Sequence, residues 1–190
     1  MESLCIQNEP PACVTACPLH VDSRTMLKLV ASEKFKDAYS LYQKIVPFPS
    51  ILSKICNSPC QIKCRLSEIG EGIQIRPIEA FLDQYTDPSF LPKVLPEKRQ
   101  KAVIFGSELD SLSAAYDLWR KGYQVVILDA DTILAGNLRK HNENILPSAD
   151  IENAIQLLEQ IGVKIQTGFK LPRFEELSQN DSGLFRIEDT

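Results

Sequence analysis

The chain has 190 residues, 44% hydrophobic and 24% charged, which suits one or two compact domains and excludes a disordered tail or a fibre. Lysine and arginine number 21 against 25 acidic residues, a net charge of -4 that argues against a sequence-independent grip on nucleic acid or on an anionic membrane. The longest unbroken apolar runs, 102–105 and 125–128, are four residues each, far short of the roughly 20 that cross a bilayer. The first twenty residues have neither a basic start nor an apolar core, so the expected location is the cytoplasm.

Ten of the twelve prolines and all six cysteines lie in residues 1–96. Residues 88–96 hold three prolines in nine positions, an extended connector, so two domains are expected, 1–96 and 97–190. In the first, Asp22 or Ser23 caps a helix running through Met26, Leu27, Leu29 and Val30. A second helix, 35–45, repeats Phe35, Ala38, Tyr39, Tyr42 and Ile45 at helical spacing and stops at Pro47. Short helical pieces fit 51–55, 61–66 and 78–85, and no period-2 strand precedes residue 97. The second half reads as a strand at 101–106, a helix at 109–121 ended by Gly122, and a strand at 123–128, which is a βαβ unit. Ser148 is placed to cap a helix over 151–161, with Ile151, Ala154, Ile155, Leu157, Leu158 and Ile161 inward, before a strand at 163–166. Right-handed crossovers then give a parallel sheet, and the fold class is α plus α/β.

The six cysteines stand at 5, 13, 17, 56, 60 and 64. The spacings Cys13-x3-Cys17-Pro18 and Cys56-x3-Cys60-x3-Cys64 put thiolates on neighbouring turns, and a proline beside a ligand cysteine recurs in bacterial ferredoxins. Soft thiolates suit iron-sulfur clusters or zinc. Zinc favours two-residue hooks, which places iron-sulfur first. Structural disulfides are the alternative, unsuited to a cytosolic chain of this size.

Taken in order, Cys5, Cys13, Cys17-Pro18, Val21-Asp22, Val46-Pro47-Phe48-Pro49, Cys56, Cys60, Cys64 and Ile78-Glu79-Ala80-Phe81 resemble the N-terminal iron-sulfur domain shared by dihydropyrimidine dehydrogenase and the glutamate synthase small subunit. The resemblance implies an all-helical, ferredoxin-like domain holding two 4Fe-4S clusters, followed by a flavin-binding Rossmann domain. One cluster set is complete here: Cys17, Cys56, Cys60 and Cys64. The other is reduced to Cys5, Cys13 and Glu79, because the family's second cysteine falls on Asn8. Glu79 also reads as the surface ion-pair partner of Arg76.

The resemblance to the flavin domain continues to about residue 189 and is eroded. Where the family carries G-x-G-x-x-G, this chain has Gly106-Ser107-Glu108-Leu109-Asp110-Ser111. Glu108 and Asp110 bring negative charge to the place of a flavin pyrophosphate and are expected to stabilise an empty helix N-terminus instead. Asp129 occupies the ribose-binding position, and Ala135-Gly136-Asn137-Leu138-Arg139 is similar to the family's G-G-L-L-R loop, so Gly106, Asp129 and Gly136 are the residues left to touch FAD. The family's A-T-G turn falls on Ile187-Glu188-Asp189, and FAD binding is not expected. No second glycine-rich turn supplies a nicotinamide site, which excludes a self-sufficient NAD(P)H oxidoreductase. His20 and His141 have no triad partners, and Trp119 fits the buried face of the first Rossmann helix with Leu112, Ala115 and Tyr116.

The expected function is an iron-sulfur electron-transfer module with one 4Fe-4S cluster, docked to a larger redox protein or oxidoreductase subunit. The alternatives are a non-redox assembly subunit stapled by its metal, and part of a flavoenzyme completed by another chain.

Overall fold

In a computed structural model the described residues are 11–68, 70–86 and 93–169, with the backbone of a strand at 184–186. The chain divides into two compact units, residues 1–90 and 91–190.

The first unit is helical throughout its described residues: α1 (Ala12–Ala16), α2 (Ser23–Ala31), α3 (Phe35–Gln43), α4 (Pro49–Ile55), α5 (Pro59–Ile62) and α6 (Ile75–Leu82), with 3-10 turns at Arg65–Glu68 and Asp83–Tyr85. Asp22 rather than Ser23 starts α2, its carboxylate accepting from the Thr25 N–H at 3.0 Å and from the Thr25 hydroxyl at 2.7 Å. Prolines open α4 and α5, where their missing N–H groups are of no consequence. The helix expected at 61–66 is instead split, because α5 ends at Ile62 and a separate 3-10 turn carries Leu66. Val21, Met26, Ala38, Tyr39, Tyr42, Val46, Cys60, Ile75 and Leu82 form the buried core. Phe35, Phe81 and Tyr85 interlock beside it, with ring centroids 4.9 to 5.6 Å apart, and tie α3 to α6 and the turn that follows.

The second unit is a parallel sheet of order β3-β2-β1-β4, formed by β1 (Lys101–Phe105), β2 (Gln124–Leu128), β3 (Lys164–Gln166) and β4 (Leu184–Arg186). α7 (Leu109–Arg120) connects β1 to β2, and α8 (Ser148–Gln160) connects β2 to β3. Their apolar faces, Leu112, Ala115 and Tyr116 on α7 and Ile151, Ala154, Ile155 and Leu158 on α8, are buried with Ala102, Ile104, Val125 and Ile127 of the sheet. Trp119 is only half-buried, its ring 6.1 Å from that of Tyr116. Ser148 is the first helical residue of α8, not its cap; its N–H and hydroxyl both donate to the Glu143 carboxylate, at 2.8 and 2.7 Å. β4 has no counterpart among the strands expected from sequence.

Residues 93–98 run as irregular backbone bound to this unit. Leu95 N–H donates to the Arg120 carbonyl at 2.8 Å and Lys98 N–H to that of Gly122 at 2.7 Å. Gly122 has φ +86, and a Cβ there would stand 2.2 Å from the Pro96 carbonyl oxygen. A left-handed backbone and a close crossing thus both demand glycine. Among the described residues no helix is long and apolar enough to cross a membrane.

Gly122→Ala should therefore cost about 2 kcal/mol or more, seen as a lower thermal midpoint for the second unit. Asp22→Ala should cost about 1 kcal/mol in urea unfolding, and Asp22→Asn far less.

Candidate metal centre

Cys13 lies within α1, and Cys17 caps its end, donating its N–H to the Cys13 carbonyl at 3.2 Å. Cys56 caps α4, Cys60 lies inside α5, and Cys64 follows α5 in a turn closed by its N–H on the Gln61 carbonyl. A single helix would carry the Cys56-x3-Cys60-x3-Cys64 run along one stripe. Here the backbone breaks instead. Cys56 is extended, Ser58 is left-handed at φ +53, and Pro59 starts a new helix.

Helix α1 packs on α5, and the side chains of Cys13 and Cys17 lie against the core that contains Cys60. Cys60 is buried, and its thiol is pushed up to about 11, chiefly by loss of hydration and then by the charges of Glu79, Cys17 and Cys56. Two further residues of the complete set, Cys17 and Cys56, are thus within electrostatic reach of Cys60. Cys64 lies beside Gly72, where a Cβ would come within 3.3 Å of its own. Cys17, Cys56, Cys60 and Cys64 are free thiols. Among the described residues no three histidine, cysteine or acidic side chains are gathered tightly enough to hold one metal ion. Cys5 and Asn8 lie outside the described residues.

Two groups around this centre escaped the sequence reading. Ser58 N–H donates to Cys56 Sγ at 3.3 Å, a bond made possible by its left-handed backbone. Arg76 reaches the same loop, its Nη1 donating to the Cys56 carbonyl at 3.1 Å while its N–H donates to Gln61 Oε1 at 3.0 Å. Arg76 is therefore not engaged with Glu79, which is buried at 8% exposure, so the surface ion-pair reading of Glu79 is overturned. Burial raises the Glu79 carboxyl to about 7; the Tyr42 hydroxyl, itself without a partner at hydrogen-bonding geometry, pulls it down, and Asp83 pushes it up again.

In the second unit the flavin-facing positions are engaged internally. Gly106 leaves β1 at φ +89. Ser107 is buried, and its Oγ accepts from Ala135 N–H at 2.9 Å. Glu108 caps α7 in position only, and its carboxylate turns away from the helix to accept from Asn137 N–H at 2.8 Å, which corrects its expected role at an empty helix N-terminus. Asp110 does accept from a first-turn N–H, that of Ser111, at 2.8 Å. Asp129 is buried and accepts from Asp131 N–H at 2.9 Å. Ala135, at φ +58, occupies a left-handed position where the G-G-L-L-R loop has glycine. The Ile187-Glu188-Asp189 turn lies outside the described residues.

The chain thus carries a cysteine-rich helical unit and a parallel-sheet unit with an altered first turn. Residues 2–89 match the family described as dihydropyrimidine dehydrogenase domain II, 4Fe-4S cluster. Over nearly the whole chain the similarity extends to the NADPH-Fe(3+) oxidoreductase subunit beta of Geobacter sulfurreducens, 23% identical over 187 residues, covering 91% of this chain and 27% of the relative. Glutamate synthase [NADH] of Schizosaccharomyces pombe is 26% identical over 183 residues, covering 93% of this chain and 9% of the relative. The NADP(+)-dependent formate dehydrogenase subunit beta of Moorella thermoacetica is 23% identical over 179 residues, covering 80% and 25%. The chain thus spans about a quarter or less of each of these relatives.

With a folded carboxyl near 7 against an ordinary 4.5, Glu79 binds more protons folded than unfolded between those values. Stability should fall as pH rises from about 4.5 to about 7, by up to about 3 kcal/mol, and level off above. Glu79→Gln should flatten that slope in urea titrations across the same window. Tyr42, Asp83 and Cys60 face the same carboxyl and would persist in the variant.

Proposed function

We propose that Cys17, Cys56, Cys60 and Cys64 hold a single 4Fe-4S cluster and that the chain is an electron-transfer module of a larger oxidoreductase. The reading is carried by the convergence of Cys17 and Cys60, distant in sequence and brought together where α1 packs on α5, with Cys56 also in electrostatic reach of Cys60. The donor set fits the group: four soft thiols, no competing histidine among them, in a unit that matches a 4Fe-4S family. When bound, such a cluster supplies one-electron transfer.

The chain's own residues set its surroundings. Ser58 N–H donates to Cys56 Sγ, the type of hydrogen bond that stabilises a thiolate ligand and tunes potential. Arg76 anchors the Cys56 backbone and adds positive charge beside the ligand loop. Buried Cys60 and Glu79 oppose each other's ionisation, so the metal-free pocket favours a protonated Cys60, and ligation has to displace that proton. Cys5, Cys13 and Glu79 lack the second cysteine of the family's other set, where Asn8 stands, which supports one cluster rather than two. Relatives named as oxidoreductase and dehydrogenase subunits support a protein partner.

Anaerobically purified chain should contain about four iron and four sulfide per chain, with a visible spectrum that bleaches on reduction. Cys17→Ser and Cys60→Ser should each lose most of the iron, whereas Cys13→Ser should keep it. About eight iron per chain would defeat the single-cluster reading, and zinc alone would defeat electron transfer.

A further inference from the structure

Open parallel sheets bind dinucleotides beyond the carboxyl ends of their strands, at the point where successive connections diverge. In this sheet the chain runs outward from β1 to β2 and β3 and then returns to β4 on the other side of β1, so the point of divergence lies at the end of β1. Gly106, Ser107 and Glu108 stand there, immediately before α7. A pyrophosphate at such a turn would use backbone N–H groups and the positive end of the helix.

Here side chains of the turn itself reach across that space to a second loop. Glu108 Oε1 accepts from Asn137 N–H at 2.8 Å and lies 3.8 Å from the position of a Cβ on Gly136. Ser107 Oγ accepts from Ala135 N–H at 2.9 Å. The first turn is thereby laced to the 135–137 loop by two side chains, one of them anionic. Asp129, the ribose-position acid, is likewise engaged with Asp131 N–H. The nearby cations do not offset these charges at the turn: Arg139 donates to the Leu134 carbonyl at 2.8 Å and to Glu152 at 2.6 Å, and Lys140 donates to Asn137 Oδ1 at 2.6 Å. Glu108, Asp110 and Asp129 thus line the end of the sheet where two further negative charges would have to enter.

We propose that Glu108 is a built-in stand-in for a dinucleotide phosphate. Its carboxylate holds the 135–137 loop against the first turn, fills the phosphate space, and keeps FAD out of a unit that folds without it. The residues present do not fit the flavin that the fold family implies, and the second unit acts as a closed scaffold. Gly106, Asp129 and Gly136 are then remnants of a binding turn.

The test is equilibrium dialysis of the full chain against FAD and, separately, ADP, which probes the phosphate position without the flavin ring. Wild type should show no saturable binding of either. Glu108→Gly should gain FAD affinity by at least about tenfold over any residual wild-type binding, and its ligand-free thermal midpoint should fall because Asn137 N–H loses its acceptor. Glu108→Ser, a good helix cap too short to reach Asn137, guards against the glycine variant failing to fold. Glu108→Gln, which keeps the length and an acceptor oxygen, should hold the loop and remain closed to FAD. Saturable FAD binding by wild type, or folded Glu108→Gly and Glu108→Ser that bind no better than wild type, would overturn the proposal. Iron and sulfide content are measured on the same samples and are independent of either outcome, so this result leaves the cysteine assignment to its own test.

Discussion

Cys60 is buried among apolar side chains with a carboxyl and a phenol as neighbours, a poor environment for an anion. Loss of hydration raises the proton affinity of Cys60, Glu79 and Tyr42 together, and each negative charge in the group opposes the next. The helical unit is organised around this crowding. α1 brings Cys17 to it, α5 brings Cys60, and α6 contributes Glu79 from its inner face. A 4Fe-4S core bound there would offset the charge of its thiolate ligands, and stability and ligation would then be coupled through the same few side chains.

That coupling explains why the loop between α4 and α5 is strained. An uninterrupted helix would satisfy the backbone between Cys56 and Cys64, yet it would bury the sulfur of Cys56 differently and leave no N–H for it. By placing Ser58 in the left-handed region, the chain accepts a local cost of about 1 kcal/mol and in return aims an N–H at Cys56 Sγ. Proline at the start of α5 makes the new helix begin cleanly. The second unit treats its first turn in a related way. Backbone donors that could receive a ligand receive side chains instead, and what remains is a parallel sheet with its crossover helices intact.

Much of this was legible from residues alone. The capped helix at Asp22, the helical spacing of Phe35 to Tyr42, the βαβ unit around Gly122 and the inward face of α8 all follow from period, caps and glycine, which are local signals. The likeness to an iron-sulfur family was legible because ligand spacing survives when the sequence around it drifts. Less was recoverable where local signals compete. α1 is five residues long, too short to show a period. Ser148 looked like a cap, but the Glu143 carboxylate takes both its N–H and its hydroxyl, and the helix begins there. β4 is three residues with no alternation, and only the open edge of β1 gives it a partner.

By itself the sequence determined two units of different class, most of the helices and strands of each, and a cysteine pattern matched to soft metal chemistry. Those properties depend on neighbours within a few residues or on ligand spacing, and both can be read along the chain. The tertiary structure alone decided that Glu79 turns inward to Tyr42 and Cys60 while Arg76 clasps Cys56, and that Glu108 reaches Asn137 instead of capping its own helix. The physical reason is the same in each case. A charged side chain chooses among partners brought close by packing, and those partners lie 19 or more residues away in sequence, where no local pattern records them.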